Sequence, residues 1–185
     1  MEIRRLALEG VLEIIPGKFG DARGFFSETY SQKRFAEAGI DIGWVQDNQS
    51  FSAESGVLRG LHFQLAPFAQ DKLIRVLRGS IFDVAVDLRQ GSPDYGKWVS
   101  CVLSADAWNQ LLVPRGFAHG FLTLEPRVEV FYKVSAPYAP EYDRGIRWND
   151  PQIGIAWPLE GREPVLSAKD AAAPFLSGIT EQFSF

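Results

Sequence analysis

Seventeen glycines and 11 prolines are spread along all 185 residues, and they interrupt the apolar pattern before a helix of ordinary length can develop. Between these breaks the side chains alternate. In SIFDVAVDL, from Ser80, the residues Phe82, Val84, Val86 and Leu88 share one face while Asp83, Ala85 and Asp87 take the other, the period of two that a strand imposes. Comparable runs are VLRGLHFQ from Val57, KLIRVLR from Lys72, WVSCVL from Trp98, NQLLVP from Asn109, GFAHGFLTL from Gly116 and VEVFYKV from Val128. Many short strands around one core predict an all-β sandwich or barrel. Helix is predicted only in short peripheral pieces: SQKRFAEAG, with Ser31 as N-cap and Gly39 as stop, and SAKDAAAP, with Ser167 as N-cap and Pro174 as break. GSPDYG, from Gly91, reads as a turn between strands. The length predicts a single domain over residues 1–185, with a peripheral tail after Pro174.

Charge narrows the function. Nineteen Lys and Arg against 23 Asp and Glu give a net charge of −4, which argues against broad binding to nucleic acid or to an anionic membrane. A polyanion would have to meet a local basic pocket. The lone cysteine, Cys101, excludes an intrachain disulfide and a thiolate metal cluster, and suits a reducing, cytoplasmic setting. No stretch is long and apolar enough to cross a bilayer, and MEIRRLALEG lacks the apolar run of an export signal.

Strand parity identifies the polar groups that turn inward. Tyr132 lies with Val128, Val130 and Val134; Lys72 with Ile74 and Val76; His119 with Phe117 and Phe121; His62 with Leu58, Gly60 and Gln64. Taken singly, each has an ordinary explanation. An inward tyrosine is often a core aromatic with a partnered hydroxyl, a lysine snorkels from a strand end, and a histidine is often structural. Their coincidence favours a lined cavity over a sealed core, because buried charge is costly unless paired or used. Arg23 and Arg59, each followed by glycine, offer guanidinium forks suited to phosphate oxygens, and Lys72 and Lys169 add point charge. A small anionic substrate fits this set, although either arginine alone would suit a surface ion pair.

A metal centre is the competing use for two histidines. VPRGFAHGF carries Pro114, Gly116 and His119 in the order of the second cupin motif, but GLHFQ places Gln64 where the first motif has a second histidine. With that histidine replaced and no clear counterpart to the motif's carboxylate, the site is two ligands short where a zinc or iron centre takes at least three, and Lys72 would repel a cation, so no metal is expected.

The chain resembles the dTDP-4-dehydrorhamnose 3,5-epimerase family of RmlC-like cupins. The motifs that carry the resemblance are FGDARGFFSE (Phe19 to Glu28), VQDNQS (Val45 to Ser50), GVLRGLHFQ (Gly56 to Gln64), FDVAVDLR (Phe82 to Arg89), PRGFAHGF (Pro114 to Phe121), RGIRWNDP (Arg144 to Pro151) and LSAKD (Leu166 to Asp170). The resemblance implies a cupin jelly roll, a homodimer, a nucleotide-linked 4-keto-6-deoxyhexose as substrate and no cofactor. It implies that His62 is the general base, oriented by Asp170, that Tyr132 is the proton donor, and that Lys72 faces the keto oxygen. Substrate contacts are implied at Arg23, Glu28, Gln46, Asp47, Asn48, Arg59, Lys72, His119, Asp143 and Lys169, with the segment holding Arg23 and Glu28 reaching into the neighbouring subunit's cavity. Asp170 has a local alternative, because S-x-x-D in SAKD is a capping box. Three other readings stay open: an epimerase acting at one carbon or on another nucleotide-linked keto sugar, a non-catalytic sugar-binding cupin, and a metal-dependent enzyme.

Overall fold

The computed structural model describes residues 1–180, 183 and 184. In chain order the strands are β1 (Glu2–Arg5), β2 (Leu12–Ile15), β3 (Phe19–Asp21), β4 (Gly24–Phe26), β5 (Gln46–Ser52), β6 (Leu58–Gln64), β7 (Lys72–Arg78), β8 (Ser80–Asp87), β9 (Arg89–Gln90), β10 (Trp98–Ser104), β11 (Gln110–Val113), β12 (Phe117–Thr123), β13 (Val128–Val134), β14 (Asp143–Gly145) and β15 (Phe183–Ser184). Two short helices accompany them, α1 (Gln32–Glu37) and α2 (Ala168–Ala171). A six-stranded sheet runs β1-β2-β11-β7-β13-β5 and a five-stranded sheet runs β10-β8-β12-β6-β14, with the pairs in both sheets antiparallel. This is the expected jelly-roll sandwich. Each predicted run forms a strand, and both predicted helices form at their serine N-caps.

Both sheets are covered on both faces, and this decides which side of each strand is the interior. Ile74, Val76, Leu111 and Val130 of the larger sheet meet Ile81, Ala85, Leu103 and Phe121 of the smaller one in the central core. The outer face of the smaller sheet, carrying Leu61, Phe63, Val84 and Val86, is covered by Ile146, Ile153 and Leu176. The outer face of the larger sheet packs Ile14, Leu73 and Leu112 under Phe35 and Ile40. On β8, therefore, the fully apolar side faces the covering loops, and the side with Asp83 and Ala85 faces the interior. The segment after Pro174, expected at the periphery, contributes part of this cover. Leu176 is 2% exposed, and its amide donates to Asp150 Oδ2 at 2.5 Å, because the outer apolar face of β8 and β12 needs a lid.

One irregularity shapes the interior. His119 on β12 pairs with His62 on β6, yet Phe121 pairs with Arg59, so β6 spends three residues where β12 spends two. The extra residue is a β-bulge. It sits at Gly60, whose φ of +135° suits glycine and whose added Cβ would stand 2.6 Å from Gly120 Cα. Parity counted from Leu58 fails across it: His62 shares its face with Arg59, and Leu58 lies opposite.

The β3–β4 hairpin projects from the sandwich with Phe19, Phe25 and Phe26 exposed. Its base is anchored by an edge contact between Phe25 and Trp108 at 4.8 Å and by Lys18 Nζ, 4.3 Å from the Phe25 ring centroid and 4.4 Å from that of Trp108.

Candidate active site

A cavity of about 430 Å³ is lined by Arg59, His62, Lys72, His119, Phe121, Tyr132, Lys169 and Asp170, among others. An adjoining cavity of about 410 Å³ shares His62, Lys72, Tyr132 and Lys169, and adds Gln46, Asn48, Tyr138 and Asp143. The four proton-bearing groups singled out by strand parity therefore meet at one place. Each arrives from a different element: His62 from β6, Lys72 from β7, His119 from β12 and Tyr132 from β13.

His62 Nε2 lies 2.5 Å from Asp170 Oδ1, with the histidine side chain 34% exposed and the aspartate 6%. The orienting carboxylate is thus buried behind an accessible imidazole, and Nδ1 is left for a substrate. Helix α2 explains how Asp170 gets there. Ser167 Oγ accepts from the Asp170 amide at 3.1 Å, so the cap is closed through the backbone, and the carboxylate is free to reach His62. Burial pushes the Asp170 carboxyl upward, but hydrogen bonds from His62, Ser167 and the Gly60 backbone outweigh it and hold the group below its ordinary value.

Lys72 is 9% exposed and donates to the His62 carbonyl at 3.3 Å. Desolvation pushes its ammonium down to about 8, against the opposing pull of Asp143 and Asp83. Burial likewise raises the Tyr132 phenol, with Arg59 opposing and Asp143 reinforcing. Tyr132 consequently keeps its proton at neutral pH, as a donor must. Arg59 Nη2 donates to the Phe51 carbonyl at 3.1 Å and Nε to Ser52 Oγ at 3.3 Å, which stiffens the guanidinium against the cavity wall.

Most of the expected binding residues gather here and some do not. Gln46 and Asn48 are joined at 2.8 Å and face the second cavity, and Lys169 pairs with Asp143 at its edge. Asp47 lies on the other side of β5 and pairs with Lys133 at 2.9 Å, outside both cavities. Parity dictates this, since Gln46 and Asn48 flank it. Arg23 is on the exposed hairpin, paired with Asp21 at 2.5 Å, and Glu28 pairs with Arg34 at 3.1 Å. Neither lines this chain's own cavities.

Two residues went unnoticed in the sequence. Tyr138, on a loop without periodicity, lines the second cavity and donates to Asp143 Oδ2 at 3.1 Å. Asp83 stands 2.8 Å from His119 Nε2, fully buried; its alternation with Phe82 and Val84 was the sequence signal, and the β8–β12 register sets its neighbour on that face, Ala85, opposite His119. Gln64, at the cupin metal-ligand position, is spent on backbone: Nε2 donates to Phe68 and Pro137, and Oε1 accepts from Ala139. Among the described residues no three His, Cys, Asp or Glu side chains are grouped to hold a metal ion.

The family model described as dTDP-4-dehydrorhamnose 3,5-epimerase matches residues 5–178. The chain belongs to that family. A curated dTDP-4-dehydrorhamnose 3,5-epimerase from Sinorhizobium fredii is 53% identical over 185 residues, covering 100% of this chain and 94% of its own. The crystal structure of dTDP-4-dehydrorhamnose 3,5-epimerase from Bacillus anthracis, with TDP and PPi bound, superposes at a TM-score of 0.92 and 47% identity, covering 95% of this chain and 99% of that one. A second epimerase structure, from Legionella pneumophila in complex with dTDP-4-keto-L-rhamnose, has a TM-score of 0.92 and 46% identity over 96% of this chain and 94% of that one.

Proposed function

We propose that this chain is a dTDP-4-dehydrorhamnose 3,5-epimerase, converting dTDP-4-dehydro-6-deoxy-D-glucose into dTDP-4-dehydro-L-rhamnose. Within the family match, the observation that carries the reading is the convergence of the His62–Asp170 pair, Lys72 and Tyr132 on one cavity. Substrate and product are isomers, so no electrons are exchanged overall and the work is proton transfer. His62 removes the proton from a carbon beside the 4-keto group, and the electron pair moves through the new double bond onto the carbonyl oxygen. Lys72, as an ammonium, faces that oxygen and balances its charge. Asp170 fixes the imidazole tautomer and stabilises the imidazolium. Tyr132 then delivers a proton to the opposite face, which inverts the carbon, and the steps repeat at the second position.

In this reading Arg59, His119, Gln46, Asn48, Asp143 and Lys169 bind the nucleotide sugar. A second copy of the chain supplies Arg23 from its projecting hairpin and Glu28 from the segment that follows, and the hairpin's exposed phenylalanines suit a protein partner better than water. A single cysteine, too few for an intrachain disulfide, supports a reducing, cytoplasmic setting, and no helix of the described residues is long and apolar enough to cross a membrane. The test is incubation with dTDP-4-dehydro-6-deoxy-D-glucose in heavy water. Deuterium at both carbons 3 and 5 of an inverted product is expected. Label at one carbon only would make the protein a mono-epimerase, and no label would overturn the reading.

A further inference from the structure

The cavity wall contains a second imidazole–carboxylate pair that the proposed proton transfers leave unused. His119 Nε2 stands 2.8 Å from Asp83 Oδ1, with side-chain exposures of 9% and 0%. The β6–β12 register sets His119 opposite His62, so the two pairs are neighbours. The second pair is the more deeply buried. Asp83 Oδ2 is buried with no hydrogen-bond partner among the described residues, which leaves its charge without local compensation on that side. His119 from β12 touches Asp83, Cys101 on β10 is its register partner, and Lys72 from β7, whose ammonium reaches the carbonyl of His62 opposite His119, lies within electrostatic reach of it. Lys72 itself is faced by Asp83 and by Asp143 from β14, and its hydrogen bond goes to a neutral carbonyl.

We propose that Asp83 is a positioning residue for the epimerisation: it holds His119 as the Nε2–H tautomer and serves as the buried counter-charge that keeps Lys72 an ammonium at neutral pH. This inference rests on the function proposed above. Desolvation drives Lys72 toward the neutral amine and Asp83 toward the neutral acid, and each charge opposes the loss of the other. Without the carboxylate, Lys72 retains only Asp143 as an opposing anion and releases its proton at lower pH. A neutral Lys72 no longer balances the developing enolate.

The test compares kcat/KM from about pH 6 to about pH 10 for the unsubstituted protein, Asp83→Asn and Asp83→Glu. Asp83→Asn is expected to move the alkaline limb down by about one pH unit while dTDP affinity changes less than about twofold; Asp83→Glu keeps the limb near its original place. An alkaline limb that coincides in Asp83→Asn and the unsubstituted protein overturns the inference. NMR titration of Lys72 decides the same question without turnover. A Lys72 that loses its proton below neutrality in the unsubstituted protein overturns the inference even if Asp83→Asn does not fold. An unsubstituted protein that fails to epimerise overturns the function instead.

Discussion

Strand β8 ends in Asp87 and carries Asp83 four residues earlier on the same inward face, and the two carboxylates have opposite fates. Asp87 Oδ1 accepts from Arg89 N at 2.8 Å and Nε at 3.0 Å, and Oδ2 accepts from Arg89 Nη2 at 2.8 Å and Ser92 Oγ at 2.7 Å. Burial pushes it upward, yet Arg89 and Ser92 prevail and hold its carboxyl below the ordinary value. Asp83 has one imidazole, and burial prevails, raising its carboxyl. Both are 0% exposed. Depth is therefore not what decides whether a buried carboxyl is pushed up or held down. The number of donors aimed at it is. Asp71, saturated by Arg115 and Ser135 at the mouth of β7, belongs with Asp87, whereas Asp170 stands between the two kinds, with its cap closed and one oxygen given to His62.

Substitutions can break this division. The largest effect is expected from His62→Ala, which should lower kcat by about 10³-fold and remove deuterium incorporation while leaving dTDP affinity nearly intact, because only the base is lost. Retained exchange would transfer the base role to another group. Next, Asp87→Ala should cost about 3 kcal/mol of stability, the consequence of removing a buried carboxylate that accepts from the Arg89 backbone, the Arg89 guanidinium and Ser92, with turnover per folded molecule unchanged. A denaturant titration paired with an activity assay reads both halves, and a fall in turnover would erase the distinction between Asp87 and Asp83. The sign with pH follows from the depressed carboxyls of Asp71 and Asp87. Their stabilisation is present above the unfolded carboxylate value, about 3.9, and is lost as pH falls through the lower folded value. Acid unfolding of Asp87→Ala should accordingly be less steep than that of the unsubstituted protein.

Smaller effects sharpen the picture. Tyr132→Phe should reduce complete epimerisation by about 10²-fold but preserve some solvent exchange, since abstraction by His62 survives; full turnover would exclude the phenol as donor. Ser167→Ala should cost about 1 kcal/mol through the lost cap of α2. Any additional drop in kcat measures how far Asp170 depends on that cap for its aim at His62.

The strand pattern alone located the sandwich and brought Lys72, Tyr132 and His119 to its interior, because alternation survives wherever a strand is regular. It failed in two places, for different reasons. His62 was counted with Leu58, and the bulge at Gly60 breaks that count: backbone irregularity leaves no trace in hydrophobic period. Asp83 was passed over because Phe82, Val84 and Val86 make the opposite face of β8 look like the core. That face is indeed buried, but under loops around Ile146 and Leu176 that are distant in sequence and invisible to any local pattern. Asp170 was ambiguous between capping and a partnership with His62, and the structure holds both, the amide on Ser167 and the carboxylate on His62. Glu28 and Asp47 were assigned through family resemblance alone, Arg23 through resemblance and its Arg-Gly setting, and strand geometry takes Asp47 away from the cavity.

The crossing of Gly60 over Gly120 carries a lesson for anyone reshaping this enzyme. A Cβ on Gly120 would meet the Arg59 carbonyl at 2.9 Å, and one on Gly60 would meet Gly120 itself. Two missing side chains thus hold Arg59 and His62 on a common wall, tying the proposed grip on the ligand to the proposed removal of its proton. Altered sugar preference should be sought in the segment from Val165 to Lys169 and around Tyr138, where the lining can change, while these two glycines stay untouched.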